Sequence, residues 1–185
     1  MIAATPLSDS IVKLRRLQEA NGSIRKTQLL REFQDDANFR NFLYYALNPM
    51  LTYKISEQTL RSPIRYDSAI TLTMTDIFSV CELLSKRKAL DAGTVYQVCA
   101  FVQSSPPDEA DVYIKLLSKT LRLGVTAKTV NKVIANLIPE WEVQQAYPID
   151  KYPLKEGTEF WLTQKLNGVR ATYYKGRLYA RSGVP

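Results

Sequence analysis

The strongest constraint on this fold is a change of rhythm at Pro139. Ahead of it, apolar residues recur every three or four positions in short stretches bounded by helix start and stop signals; beyond it, they alternate. Segment 8–22 carries Ile11, Leu14 and Leu17, with Ser8 or Asp9 as the expected cap and Asn21-Gly22 as the stop. "SIRKTQLLREF" follows with Ile24, Leu29, Leu30 and Phe33 as its apolar set, and "DANFRNFLYYALN" with Phe39, Phe42, Leu43 and Leu47 before Pro49. A helix from Thr73 or Thr75 through a basic last turn is predicted next, then one over "AGTVYQVCAFVQSS". Another starts at Pro106-Pro107, with acids in its first turn and Gly124 as its stop. "TAKTVNKVIANLI" reads as a last short helix capped by Thr126.

From Pro139 onward three prolines (Pro139, Pro148 and Pro153) and weak periodicity predict a linker. "EFWLTQK" then reads as a strand, and "VRATYYKGRLYARSG" as two strands joined at Lys175-Gly176. The expected fold class is therefore mainly α: a multi-helix domain over residues 1–138, followed over 139–185 by a linker and a small β fragment. Three strands with no helix of their own make a poor domain and need more chain or support from the helices.

Composition narrows the chemistry. The chain has 185 residues, 45% of them hydrophobic, enough for a sizeable core. No apolar run approaches the ~20 residues of a membrane span, and no basic start leads into a long apolar core. Cys81 and Cys99 sit in apolar helical patterns, which predicts reduced, buried thiols in a cytoplasmic protein. The absence of histidine removes His-based metal sites and Ser–His or Cys–His nucleophiles. Lysine, arginine, carboxylates or a bound metal must carry any reaction.

The net charge is +7, and its distribution says more than its size. Val112 to Pro139 holds Lys115, Lys119, Arg122, Lys128 and Lys132 with no acid. Phe160 to Pro185 holds Lys165, Arg170, Lys175, Arg177 and Arg181, again with none. Two acid-free basic segments favour contact with phosphates. Within "LRLGVTAKTVNKVI", a predicted stop at Gly124 precedes a helix start at Thr126, so backbone N–H groups and a hydroxyl face outward there. Lys128 and Lys132 are one helical turn apart, and Thr129 and Asn131 add short donors.

Lys165-Leu166-Asn167-Gly168-Val169-Arg170 matches Lys-x-(Asp or Asn)-Gly-x-Arg. This resembles the nucleotide-accepting motif of covalent nucleotidyltransferases: DNA ligases, RNA ligases and mRNA capping enzymes. "ARSG" at Ala180–Gly183 is similar to the second ligase motif, usually Ser-Arg-x-Gly, although its first position departs. "LRLGVTAKTVNKVI" resembles a signature of the helical DNA-binding domain that precedes the catalytic core of many ATP-dependent DNA ligases. The order of the three matches that of a phage-type enzyme.

The resemblance implies that Lys165 is the nucleophile that takes AMP from ATP. It implies nucleotide contacts from Thr163, Gln164, Asn167, Arg170 and Arg181, and DNA contacts from Arg122, Gly124, Thr126, Lys128, Thr129 and Lys132. Thr163 stands where many ligases place Glu. It further implies Mg²⁺ in the complete enzyme, duplex or nicked DNA as partner, no metal held by this segment and a monomeric state. The later family motifs would lie beyond Pro185, so a chain of this extent is not expected to seal nicks alone. Two other readings compete. RNA ligases and capping enzymes usually carry the lysine near the start, whereas about 160 residues precede it here. The other is a non-catalytic helical DNA-binding protein in which "KLNGVR" is incidental.

Overall fold

A computed structural model describes residues 7–64, 73–140, 148–151, 153, 155–161, 164, 167–174 and 176–180. The protein is mainly helical, with one two-stranded antiparallel sheet near the C-terminus. It divides into two compact units, Met1–Glu140 and Trp141–Pro185.

Eight helices among the described residues build the first unit: α1 (Leu7–Glu19), α2 (Ser23–Phe33), α3 (Ala37–Leu47), α4 (Glu57–Arg61), α5 (Ile77–Lys86), α6 (Ala92–Ser104), α7 (Pro107–Leu117) and α8 (Ala127–Asn131). Each turns an apolar stripe inward. Leu14 and Leu17 of α1, Leu30 of α2, Phe42 and Leu43 of α3, Leu84 of α5 and Leu116 of α7 are essentially inaccessible and share one core. Phe33 meets Phe39 edge to face at 5.5 Å, and Phe42 meets Phe78 likewise at 5.0 Å. Such ring pairs contribute about 0.5–1.5 kcal/mol beyond their area. No helix among the described residues is long and apolar enough to cross a membrane.

Polar side chains set the helix starts. Asp36 caps α3 by accepting from the Phe39 N–H at 3.0 Å. It also accepts from the Ser10 hydroxyl at 3.0 and 2.9 Å and from the Lys13 ammonium at 2.6 Å, so this cap doubles as the joint between α1 and α3. Burial raises the Asp36 carboxyl, but the Lys13, Phe39 and Ser10 bonds outweigh it and hold it below its ordinary range. Asp76 caps α5 through the N–H groups of Phe78 and Ser79, at 2.9 and 3.0 Å. The expected cap there was Thr73 or Thr75, but a carboxylate next to the first turn is the stronger acceptor.

Other boundaries also differ from expectation. α1 begins at Leu7, so Ser8 and Asp9 lie inside it. α7 ends at Leu117, well before Gly124, because Lys119 takes a left-handed φ of 59° and breaks the hydrogen-bond ladder. α8 spans five residues rather than running to Ile138. The Asn131 amide reaches forward, accepting from the Ile138 N–H at 3.0 Å and donating to the Ile138 carbonyl at 2.8 Å, which folds the following turn back.

In the second unit, β1 (Ala171–Tyr174) pairs with β2 (Arg177–Ala180), Ala171 facing Ala180 and Tyr174 facing Arg177. Gly176, at φ 80°, supplies the left-handed turn residue. The expected strand over "EFWLTQK" is not formed at its described residues Glu159, Phe160, Trp161 and Gln164. No partner strand is paired with them among the described residues, and Phe160 and Trp161 are exposed.

Candidate nucleic-acid interface

The segment between α7 and α8 is shaped by alternation. Leu121 and Leu123 turn into the core, which turns Arg122 outward between them. The chain then bends at Gly124, with φ 66°. A Cβ at that position would stand 2.3 Å from the Lys26 Nζ. Lys26 donates to the Leu17 carbonyl at 2.9 Å and to the Leu123 carbonyl at 3.0 Å, and the Gln18 amide donates to the Arg122 carbonyl at 3.1 Å. The end of α1, the first half of α2 and the bend at Gly124 are thus tied together. Glycine suits the bend, because it takes this left-handed angle without strain and leaves the room that the Lys26 ammonium occupies.

α8 starts as the sequence indicates. The Thr126 hydroxyl accepts from the Thr129 N–H at 3.2 Å, and the two hydroxyls lie 3.0 Å apart. Thr126 and Thr129 therefore spend hydroxyl capacity on each other and on the cap. Asn131 is likewise committed, since its amide also donates to the Glu140 carboxylate at 2.9 Å.

The basic residues of Val112–Pro139 separate into two groups. Lys115 pairs with Asp111 at 2.6 Å, one residue outside the acid-free window. Lys119 reaches back to the carbonyls of Tyr45 and Asn48, at 3.1 and 2.9 Å, and lies over the Tyr53 ring. Burial of its ammonium lowers Lys119 to about 8, with Cys81 acting the other way. These two lysines serve the fold. Arg122, Lys128 and Lys132 are exposed on the bend and around α8. Among the described residues, Arg122 and Lys132 pair with no carboxylate.

Sequence reasoning passed over α2. From Ala20 to Arg31 the chain contains Arg25, Lys26 and Arg31 and no acid, the same signal that marked the two later segments. Folding packs α2 beside α8 through the Lys26 tie. Arg25 and Arg31 are exposed, and so is Ile24, at 77%. Counted in the apolar set of α2, Ile24 lies across the helix from Leu29, Leu30 and Phe33, given about 100° per residue.

The nucleotide-side residues are only partly described. Thr163, Lys165 and Arg181 lie outside the described residues. Gln164, Asn167 and Arg170 are exposed, Arg170 immediately preceding β1. Among the described residues no group of three or more Cys, Asp or Glu is arranged to hold a metal. Cys81 and Cys99 are free and buried; burial pushes the Cys81 thiol up to about 12, which leaves it unreactive.

The arrangement can neutralise phosphates through exposed cations carried on a helical base. No family model matches the chain, and no curated protein matches it. Among solved structures it is similar to one named Pmar-Lig_PreS3, with 20% identity and a TM-score of 0.53 over 67% of this chain. The chain spans 29% of the length of that protein, and the likeness is one of fold.

Proposed function

We propose that this chain is the N-terminal part of an ATP-dependent DNA ligase, in which the helical unit binds duplex or nicked DNA and Lys165 accepts AMP. The observation that carries the DNA half is the pair of exposed cations Arg122 and Lys132, which make no ion pair among the described residues and lie in an acid-free stretch of sequence, after Lys115 and Lys119 have been taken up by the fold. The nucleotide half rests on the order of residues in "KLNGVR" and on the basic strands that follow. Two buried free thiols fit a reducing, cytoplasmic setting, and a monomer is the proposed state.

In this reading the Lys165 amine loses its proton and attacks the α-phosphorus of ATP. An N–P bond forms, the P–O bond to pyrophosphate breaks, and pyrophosphate leaves with the electron pair. Asn167-Gly168 lets the backbone turn closely past the nucleotide, and the Arg170 fork suits ribose or phosphate oxygens. Mg²⁺ belongs with such chemistry; the described residues supply no cluster to hold it, so no step is drawn through it.

DNA binding is tested by fluorescence anisotropy of a labelled nicked duplex over rising salt, beside an RNA duplex of equal length. Three to five phosphate contacts predict that log K falls against log salt with a slope of about −3 to −5. An affinity indifferent to salt removes the DNA half. For Lys165, residues 139–185 replace the matching segment of a complete ligase core, and Lys165→Ala is assayed for covalent AMP. Undiminished labelling removes Lys165 as the acceptor.

A further inference from the structure

On the outer face of α2 the Thr27 hydroxyl donates to the Ser23 carbonyl at 2.8 Å and Arg25 donates to the Gln28 amide oxygen at 3.4 Å, both contacts within the helix itself. Ser23, Ile24, Thr27, Gln28 and Arg31 line a shallow groove of about 250 Å³ on that face. Ile24 is one of only two large apolar residues of the helical unit that stand well exposed among the described residues, the other being Val12. A lone exposed apolar residue is ordinary. This one sits beside Arg25 in a stretch with no carboxylate between Ala20 and Arg31. Arg31, about two turns further along the face from Ile24, makes no ion pair among the described residues. Glu32, the next acid, is held by Arg16 at 3.1 Å.

We propose that the outer face of α2 is a second contact surface for the same duplex DNA, with Ile24 as an apolar contact in the groove and Arg31 as a phosphate contact. The inference rests on the DNA-binding reading above and names residues that reading does not contain. Charge complementarity chooses the occupant. The face offers cations, hydroxyl and amide donors and one aliphatic side chain, and no acceptor carboxylate. Groove walls of sugars edged by phosphates match that set. α2 is about 16 Å long at 1.5 Å per residue and packs against α8, and a duplex presents a charge every ~1.7 Å along its axis, so a duplex lying along α2 sets several phosphates beside it. The Lys26 tie to the Leu123 carbonyl anchors α2 to the segment that carries Arg122 and leads into α8.

The two side chains predict different signatures. An aliphatic contact releases no counterion, whereas each phosphate contact adds about one to the salt slope. Anisotropy titrations of a nicked DNA duplex are run on the full chain and on Ile24→Ser, Arg31→Gln and the double variant Arg122→Gln/Lys132→Gln, each at several salt concentrations. Both α2 residues are exposed, and unfolding midpoints like that of wild type confirm intact variants. The expected results are an affinity about tenfold weaker for Ile24→Ser with an unchanged salt slope, and a slope about one unit shallower for Arg31→Gln. Wild-type affinity for Ile24→Ser overturns the proposal whatever Arg31→Gln does. If that happens while Arg122→Gln/Lys132→Gln binds weakly, the α2 surface is wrong and the DNA-binding reading stands. If the unaltered chain binds no duplex DNA, both fall together.

Discussion

The two units of this chain solve the problem of their apolar residues in opposite ways. The helical unit buries its core side chains to near zero exposure and, among the described residues, leaves only Val12 and Ile24 as well-exposed large apolar residues. In the second unit no described residue is buried, and seven large apolar residues stand exposed, among them Trp161 at 96%, Val169 at 94% and Tyr173 at 71%. Ion pairs add to the helical unit: Arg15 with Asp108 and Arg61 with Asp111 join helices far apart in sequence. A hairpin of four-residue strands has too little surface to enclose its own side chains, whereas eight amphipathic helices have ample. Stability therefore resides in the helices, and substitutions in the two units are expected to differ sharply.

The largest effect is expected at Phe42, which is fully inaccessible and in ring contact with Phe78. Phe42→Ala should cost about 3–5 kcal/mol in urea unfolding followed by helical circular dichroism. A loss below 1 kcal/mol would break the contrast, since it would mean the helices do not depend on this core.

Asp36 comes next. Its carboxylate joins Ser10, Lys13 and the first turn of α3, so Asp36→Ala should cost about 2–3 kcal/mol. Its depressed carboxyl also gives a sign. The folded state binds this proton less readily than the unfolded state, so the contribution is complete above the ordinary carboxylate range near 4 and is lost as pH falls through the lowered value. Asp36→Asn should flatten that part of the acid limb of stability against pH, and an unaltered limb would exclude the joint as its source.

A smaller effect separates capping from binding. Thr126→Ala should cost about 1 kcal/mol, because the Thr129 N–H loses its acceptor. Thr126→Asp keeps an acceptor and should hold stability to within about 0.5 kcal/mol, yet it sets a negative charge beside Arg122 and Lys128 and should weaken DNA binding about tenfold. Equal binding by wild type and Thr126→Asp would place the DNA elsewhere.

The smallest effect is expected in the hairpin. Leu178 is 62% exposed, and Leu178→Ser should change helical unfolding by no more than about 0.5 kcal/mol. A larger shift would show that this residue contributes to the stability of the helices.

Lys119 adds a pH test. Its ammonium, lowered to about 8, is disfavoured in the folded state, so its contribution rises as pH climbs from about 8 toward the ordinary lysine value near 10.4. The buried Cys81 thiol, raised to about 12, acts oppositely once pH passes its ordinary value near 9. The Lys119 signal is therefore cleanest between pH 8 and 9, where Lys119→Met should remove a rise seen in wild type.

The candidate DNA surface was half legible before folding. Thr126 is the cap of α8, Gly124 is the bend, and Arg122, Lys128 and Lys132 face solvent, because capping and alternation act over a few residues. Lys115 was also within reach of sequence reasoning, since its partner Asp111 lies one turn back. The role of Lys119 was not, because its acceptors at Tyr45 and Asn48 lie more than 70 residues away. Nor was the place of Lys26, whose ammonium bonds the Leu123 carbonyl across 97 residues.

By itself, then, the amino-acid sequence determined that the first part of this chain would be helical, that a tight hairpin would follow, and where the acid-free basic stretches fall. Each of these depends on contacts within a turn or two of chain. Only the tertiary structure decided which cations remain exposed and which are consumed as internal donors, that α2 lies beside α8, and that Ile24 points away from the core. Those outcomes depend on which distant backbone carbonyls and apolar faces meet, and that is settled when the whole helical unit closes on a common interior.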